Sequence, residues 1–375
     1  MTSSGLRVLL TTDAVGGVWV FSSTLAAGLA DAGCEVLLVT LGPPPSRQQL
    51  EALADKPIDL RITDLALEWM DPEAADHKRA CRQLEQIEQE FSPDVVHLNS
   101  FREAAADWSA PVLVGAHSCV RSWWQACRGG DPDEPRWRAY IENVRSGLNA
   151  ADAWVAPTAA FRDSVHALYR PTVSGHVVWN GVGPVGAKAK QPFILAAGRL
   201  WDEAKNVSAL VSAASALKWP LRICGSTAGP PTSLQKSAGV EWLGELSRDD
   251  TLAQMRQAEI FATPALYEPF GLAALEAASA GCALVLGDIP TLRELWSGAA
   301  HFVQPNEHVK LTQTLNRLCT EGALRRRMQD AARLRASEYS ASRMVASYQQ
   351  FYRALLGNAR RPAGERATSI REIYA

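Results

Sequence analysis

An α/β fold of two doubly wound, parallel-sheet domains follows from three observations on the sequence. Short β-rich runs alternate with amphipathic stretches, and the runs are continuously apolar. The alternation also stops once, at a Gly- and Lys-rich stretch, and then begins again. At 375 residues the chain holds two domains of ordinary size, each able to bury its own core.

In the first half the strands are expected at Leu6 to Thr12, Val36 to Leu41, Asp94 to Leu98, Pro111 to Ala116 and Ala153 to Pro157. Continuous apolarity suits strands covered on both faces. Helical periodicity falls on Val20 to Ala32, Pro72 to Phe91 and Asp133 to Ala151. The pause runs from Asn180 to Lys190 and marks a domain boundary. Beyond it, strands are expected at Phe193 to Ala197, Leu221 to Cys224, Val240 to Leu243, Ile260 to Thr263, Ala283 to Gly287 and Ala300 to Val303. The domains are therefore set at 1–184 and 185–340, both Rossmann-like and facing across a cleft. A helix over 341–356 returns to the first domain, and 357–375 is a flexible tail. Ligands of such sheets sit beyond the carboxyl ends of the strands, so one is expected between the domains.

Hydrophobic residues at 47%, charged residues at 21%, a net charge of -2 and a pI near 6.4 describe a soluble globular chain and give no reason to invoke nucleic acid. The opening apolar run is too short to span a membrane and lacks a cleavage pattern. Seven scattered cysteines, none as Cys-x-x-Cys, read as free thiols of a cytoplasmic protein. The tail's four Arg are diluted by Glu365 and Glu372, so it reads as solvated, with peripheral membrane contact the lesser reading. The oligomeric state is left open.

The chemistry concentrates in Glu268-Pro269-Phe270-Gly271-Leu272-Ala273-Ala274-Leu275-Glu276-Ala277, which follows a strand and opens a helix near Gly271. Unpaired amides and the positive dipole end of such a helix bind phosphate, and glycine permits close approach. Glu276, just over a turn into the helix, can accept hydrogen bonds from the two hydroxyls of a ribose, and Glu268 can reach a sugar ring. Either carboxylate alone is as well read as dipole compensation or a solvated acid. Both, with Pro-Phe-Gly between, are far more specific.

This segment, EPFGLAALE, resembles the signature of the retaining GT-B glycosyltransferases of family 4: Glu, any residue, Phe-Gly, and a second Glu eight positions after the first. The resemblance runs from the Gly-Gly loop near the start to the last helix. It implies that Glu268 contacts the donor sugar, Glu276 the ribose, and the backbone from Phe270 to Leu272 the diphosphate. Gly198-Arg199-Leu200 closes a strand and Lys205-Asn206 follows; two such cations can stabilise a leaving diphosphate without a metal. The family pattern implies that role for Gly198, Arg199 and Lys205. Cys224-Gly225-Ser226 stands where the family often has Gly-Asp-Gly, so its acid is missing.

Asp13-Ala14-Val15-Gly16-Gly17 lies at a strand-to-helix turn, without the three-glycine dinucleotide spacing, which demotes a nicotinamide-dependent oxidoreductase. In the resembled family such a loop approaches donor phosphate and acceptor, so Gly16 and Gly17 carry over. His117 ends a strand and matches a family active-site histidine, able to donate to a sugar hydroxyl or support charge near the anomeric carbon. His97 and Asn99 end the previous strand and read as scaffold or substrate contact. Arg121, Trp123 and Trp124 form either an acceptor surface, with aromatic faces for carbohydrate and a cation for an anionic group, or a packed loop.

The expected reaction is transfer of a hexosyl group from a nucleotide diphosphate sugar to a carbohydrate or small-molecule acceptor hydroxyl. Retention is implied by the resemblance. No metal and no cofactor are expected, since Asp-x-Asp at a strand end and clustered His or Cys ligands are lacking. The alternatives are another GT-B sugar-nucleotide enzyme, an epimerase or a disaccharide synthase, or a catalytically silent sugar- or nucleotide-binding protein.

Overall fold

The computed structural model describes residues 5–186, 188–226 and 238–359. It divides into two compact units: one of residues 5–125, 130–181 and 341–359 among those described, the other of Ala126–Gly129 and Val182–Ser340.

The first unit carries a seven-stranded parallel sheet: β1 (Arg7–Asp13), β2 (Glu35–Leu41), β3 (Asp59–Ile62), β4 (Val95–Leu98), β5 (Val112–Gly115), β6 (Ala153–Ala156) and β7 (Gly175–Val177). Its order is β3-β2-β1-β4-β5-β6-β7. Every residue of β4, β5 and β6 is buried, as strands covered on both faces require. The helices are α1 (Gly17–Asp31), α2 (Arg47–Glu51), α3 (His77–Phe91), α4 (Val120–Arg128, which counts with the second unit from Ala126 on), α5 (Trp137–Ala150) and α6 (Ala159–Tyr169). In α3 the buried Ala80, Leu84, Ile87 and Phe91 form one stripe at helical spacing. Thr158 caps α6 by accepting from the Phe161 amide at 3.2 Å, an interaction worth about 1 kcal/mol.

The second unit has six parallel strands: β8 (Gln191–Ala197), β9 (Leu221–Cys224), β10 (Val240–Gly244), β11 (Ala258–Thr263), β12 (Ala283–Gly287) and β13 (Ala300–Val303), in the order β10-β9-β8-β11-β12-β13. Its helices are α7 (Val207–Ala213), α8 (Arg248–Gln257), α9 (Leu272–Ser279), α10 (Pro290–Trp296), α11 (His308–Thr320) and α12 (Gly322–Ala336). The chain closes this unit where the Val182 amide donates to the Tyr339 carbonyl at 3.2 Å. It then enters α13 (Ala341–Ala359), which counts with the first unit.

Both sheets reverse strand order once, between β1 and β4 and between β8 and β11, and ligands of doubly wound sheets bind beyond the carboxyl ends at such points.

Several expected boundaries move. The helix placed at Pro72 begins at His77, because the Asp71 carboxylate accepts from the Ala75 and Asp76 amides and Ala74 adopts a φ of 60°. The one placed at Asp133 begins at Trp137, past Pro135. Strands β3 and β7 were not expected. β3 is an edge with charged, exposed positions and β7 spans three half-buried residues, so neither shows an apolar run. The last helix extends past 356 to Ala359, and positions 360–375 of the expected tail lie outside the described residues. All seven cysteines are free thiols. No helix among the described residues is long and apolar enough to cross a membrane.

Candidate active site

In the second unit the loops after β8 and β11 meet at the switch point. Gly198 follows β8 and its amide donates to the Cys224 carbonyl at 3.1 Å, while the Leu200 amide donates to Ser226 at 3.1 Å. Gly225 closes β9 with a φ of 148°, and a Cβ there would lie 1.7 Å from the Gly198 carbonyl oxygen. Two backbones thus abut at the strand ends, which gives Gly225 a steric reason apart from any missing family acid. Arg199 holds Asp202 at 2.8 Å and lies over Trp201 with 5.4 Å to the ring centroid. Lys205 ends a short 3-10 turn (Glu203–Lys205), and its Nζ is 2.6 Å from Glu268 Oε2. Asn206 ties this turn down, donating from Nδ2 to the Pro264 and Pro305 carbonyls, each at 2.9 Å.

The EPFG segment has a physical logic of its own. Phe270 is buried in the hydrophobic core, edge-on to Tyr339 at 5.9 Å between ring centroids, so its side chain anchors the loop and leaves only its backbone for a ligand. Gly271 caps α9 with a φ of 90°, a left-handed conformation that favours glycine. The helix therefore starts at Leu272, one residue later than expected, and its first amides lack intrahelical partners. The Glu268 carbonyl accepts from Thr291 Oγ1 at 2.6 Å, which orients the carboxylate-bearing turn. Glu276 is buried, and its Oε1 accepts from Arg248 Nη2 at 2.6 Å. Burial raises the Glu276 carboxyl above its ordinary value, and Arg248 works against that shift. Sequence reasoning missed Arg248: one exposed arginine at a helix start carries no signal until α8 and α9 are seen to pack.

In the first unit, Gly16 precedes α1 and Gly17 is its first residue. The φ of -176° at Gly16 is extended, so the φ value alone does not require a glycine there. The loop is held by the Val15 amide on Asp13 Oδ1 at 2.8 Å and by Gln49 Nε2 on the Ala14 carbonyl at 3.1 Å. His117, two residues past β5, is half-buried with its ring 4.3 Å from that of Phe21, and its Nε2 is 2.8 Å from Asn99 Oδ1. Burial pushes His117 down to about 4, so it is neutral near pH 7. His97 is fully buried, bonds Tyr352 of α13 through Nδ1 at 2.7 Å, and is pushed down to about 3. Of the two readings left open for it, this burial gives it the scaffold one.

Arg121 is engaged by Asp131 at 2.5 Å and by the Leu168 carbonyl, so an anionic acceptor would have to compete with Asp131 for it. Trp123 and Trp124 are half-buried and continue in T-shaped contacts to Trp137, with successive centroids 6.1 and 6.4 Å apart. They belong to an aromatic row on α4 and α5.

Comparison with known proteins bears on the family and the fold. Residues 182–335 match the family described as Glycosyl transferases group 1, and residues 15–184 match Glycosyltransferase Family 4. The chain belongs to these glycosyltransferases, and its fold is GT-B. Alpha-maltose-1-phosphate synthase of Mycolicibacterium smegmatis is 27% identical over 54% of this chain, a match spanning 61% of that relative's length. Glycogen synthase of Mycobacterium tuberculosis is 24% identical over 93% of each chain. Among solved structures, sucrose-phosphate synthase from Thermosynechococcus elongatus superposes with a TM-score of 0.77 at 15% identity, covering 94% of this chain and 99% of its own. Anabaena HepE, solved with UDP-glucose, gives 0.74 at 14% identity, covering 93% of this chain and 100% of its own.

Proposed function

We propose that this protein transfers a hexosyl group from a nucleotide diphosphate sugar to an acceptor hydroxyl, with retention of anomeric configuration and without a metal. The observation that carries the reading is the gathering of Lys205, Glu268, the Gly271 turn into α9 and Glu276 at one switch point.

Each group has a part. The first amides of α9 and the cations Arg199 and Lys205 take the diphosphate, whose negative charge grows as the bond to the anomeric carbon breaks. Glu276 accepts from ribose hydroxyls and Glu268 from hydroxyls of the sugar. Neither acts as a nucleophile: the acceptor oxygen bonds to the anomeric carbon on the face the phosphate leaves, and its proton passes to the departing phosphate oxygen. In the first unit, His117 and the Gly16–Gly17 loop serve the sugar and the acceptor, with Arg121, Trp123 and Trp124 as the acceptor surface to be tested. No cofactor is required, and a cytoplasmic setting fits the seven thiols.

Incubation with UDP-glucose and other nucleotide hexoses in the presence of an acceptor panel, followed by proton NMR of the product, tests this reading. An α-linked product from an α-linked donor supports it. An inverted product overturns the mechanism, and a chain that binds nucleotide yet never releases it from a sugar overturns the activity.

A further inference from the structure

We propose that Asn99 is a positioning residue that holds the ring proton of His117 on Nε2, so that Nδ1 presents a lone pair to a substrate hydroxyl. The inference rests on reading His117 as a substrate contact.

The orientation of Asn99 is forced by its partners. Its Nδ2 lies 2.7 Å from the Thr11 carbonyl oxygen and 3.0 Å from Ser22 Oγ. A carbonyl only accepts, so the amide end facing Thr11 is the NH2 group. The Asn99 backbone amide donates to Thr11 Oγ1 at 2.9 Å and fixes the residue at the carboxyl end of β4. Oδ1 must then face His117, and the 2.8 Å contact to Nε2 requires hydrogen on that nitrogen. A neutral imidazole carries one ring proton, which leaves Nδ1 as an acceptor. His117 therefore receives a hydrogen bond from a hydroxyl instead of donating one as the sequence suggests.

The surroundings protect this arrangement. Gly115 lies under the three polar groups: a Cβ there would be 2.6 Å from Asn99 Oδ1, 2.9 Å from His97 Nε2 and 3.1 Å from His117 Nε2. Glycine alone leaves that space open. Behind these groups lie His97 on β4 and Tyr348 and Tyr352 on α13, with His97 stacked on Tyr348 at 5.1 Å and bonded to Tyr352. None of these three is a carboxylate, and burial favours the neutral form of the His117 ring.

The test is nitrogen-15 NMR of histidine-labelled full-length protein, with the His117 signals among the seven histidines assigned by their loss in His117→Gln. The wild type is expected to show the Nε2–H tautomer at neutral pH. An Nδ1–H tautomer, or an averaged imidazolium pattern, would overturn the proposal without any variant of Asn99. Asn99→Leu is expected to mix the tautomers and lower turnover of the nucleotide hexose that the wild type uses by at least about tenfold with little change in KM; a wrongly held triad histidine costs about 10⁴-fold. An unchanged tautomer in Asn99→Leu also sinks the idea. Should His117→Ala keep full turnover while the wild type shows Nε2–H, the tautomer assignment stands and the substrate role of His117 falls.

Discussion

Lys205 Nζ lies 2.6 Å from Glu268 Oε2, joining the loop after β8 to the loop after β11 across the switch point of the second sheet. Both side chains are about four-fifths buried, so the pair is set within the fold and is less screened than a surface bridge. On the proposed reading, Lys205→Ala lowers turnover on the order of 10²- to 10³-fold, because it removes a cation assigned to the leaving diphosphate. Adding Glu268→Gln should cost less than the product of the single effects, since each change already disrupts the same pair. Steady-state rates of the two single variants and the double variant decide this.

Glu276 and Arg248 form the second pair to probe. Removing Arg248 takes away the cation that opposes burial, so the Glu276 carboxyl rises further and its charged form, the better acceptor for ribose hydroxyls, is lost sooner as pH falls. Calorimetric titration of nucleoside diphosphate should show affinity of Arg248→Ala dropping at a higher pH than in the wild type.

Gly225→Ala should cost on the order of 3 kcal/mol, since the added methyl meets backbone and has no route to relax. A thermal midpoint within a degree or so of wild type would refute the close approach of Gly225 to Gly198.

A buried ionic cluster in the first unit predicts a pH dependence of stability. Glu68 accepts from the Phe101 and Arg102 amides, each at 3.1 Å, and burial together with the nearby Glu103 pushes it from 4.5 up to about 8. The folded state then holds a proton that the unfolded state releases, so the Glu68 contribution is full below 4.5 and is lost as pH rises toward 8. His97, moved from 6.5 down to about 3, acts oppositely: its contribution is full above 6.5 and is lost as pH falls. Between these two groups only Glu68 acts from pH 6.5 to 8. Glu68→Gln keeps an acceptor for both amides without the titration. Urea melts should therefore show the wild type losing stability relative to Glu68→Gln across that window, by on the order of 1 kcal/mol per pH unit at most.

Much of the architecture was legible because buried parallel strands such as β12 are uninterrupted apolar runs, and because Pro and Gly punctuate the turn into α9. The edges were not legible, since β3 and β7 are exposed or half-buried and their sequences look like loop. In the site, Glu268, Phe270, Gly271 and Glu276 stand in one short segment whose spacing carries information. Arg248, Thr291 and Tyr352 reach their partners from distant elements, and Asn99 gains its meaning only through the direction of its amide. Such relationships are set by packing and leave no local pattern.

The second unit is proposed to hold the nucleotide of a sugar donor at the β8–β11 switch point. Isothermal titration of UDP, GDP, ADP and TDP into the full chain, its Glu276→Ala variant and its Lys205→Ala variant tests it most directly. One of the four should bind the wild type, and both substitutions should weaken it by about tenfold or more. Absence of binding by all four, or binding that neither substitution weakens, would contradict the assignment.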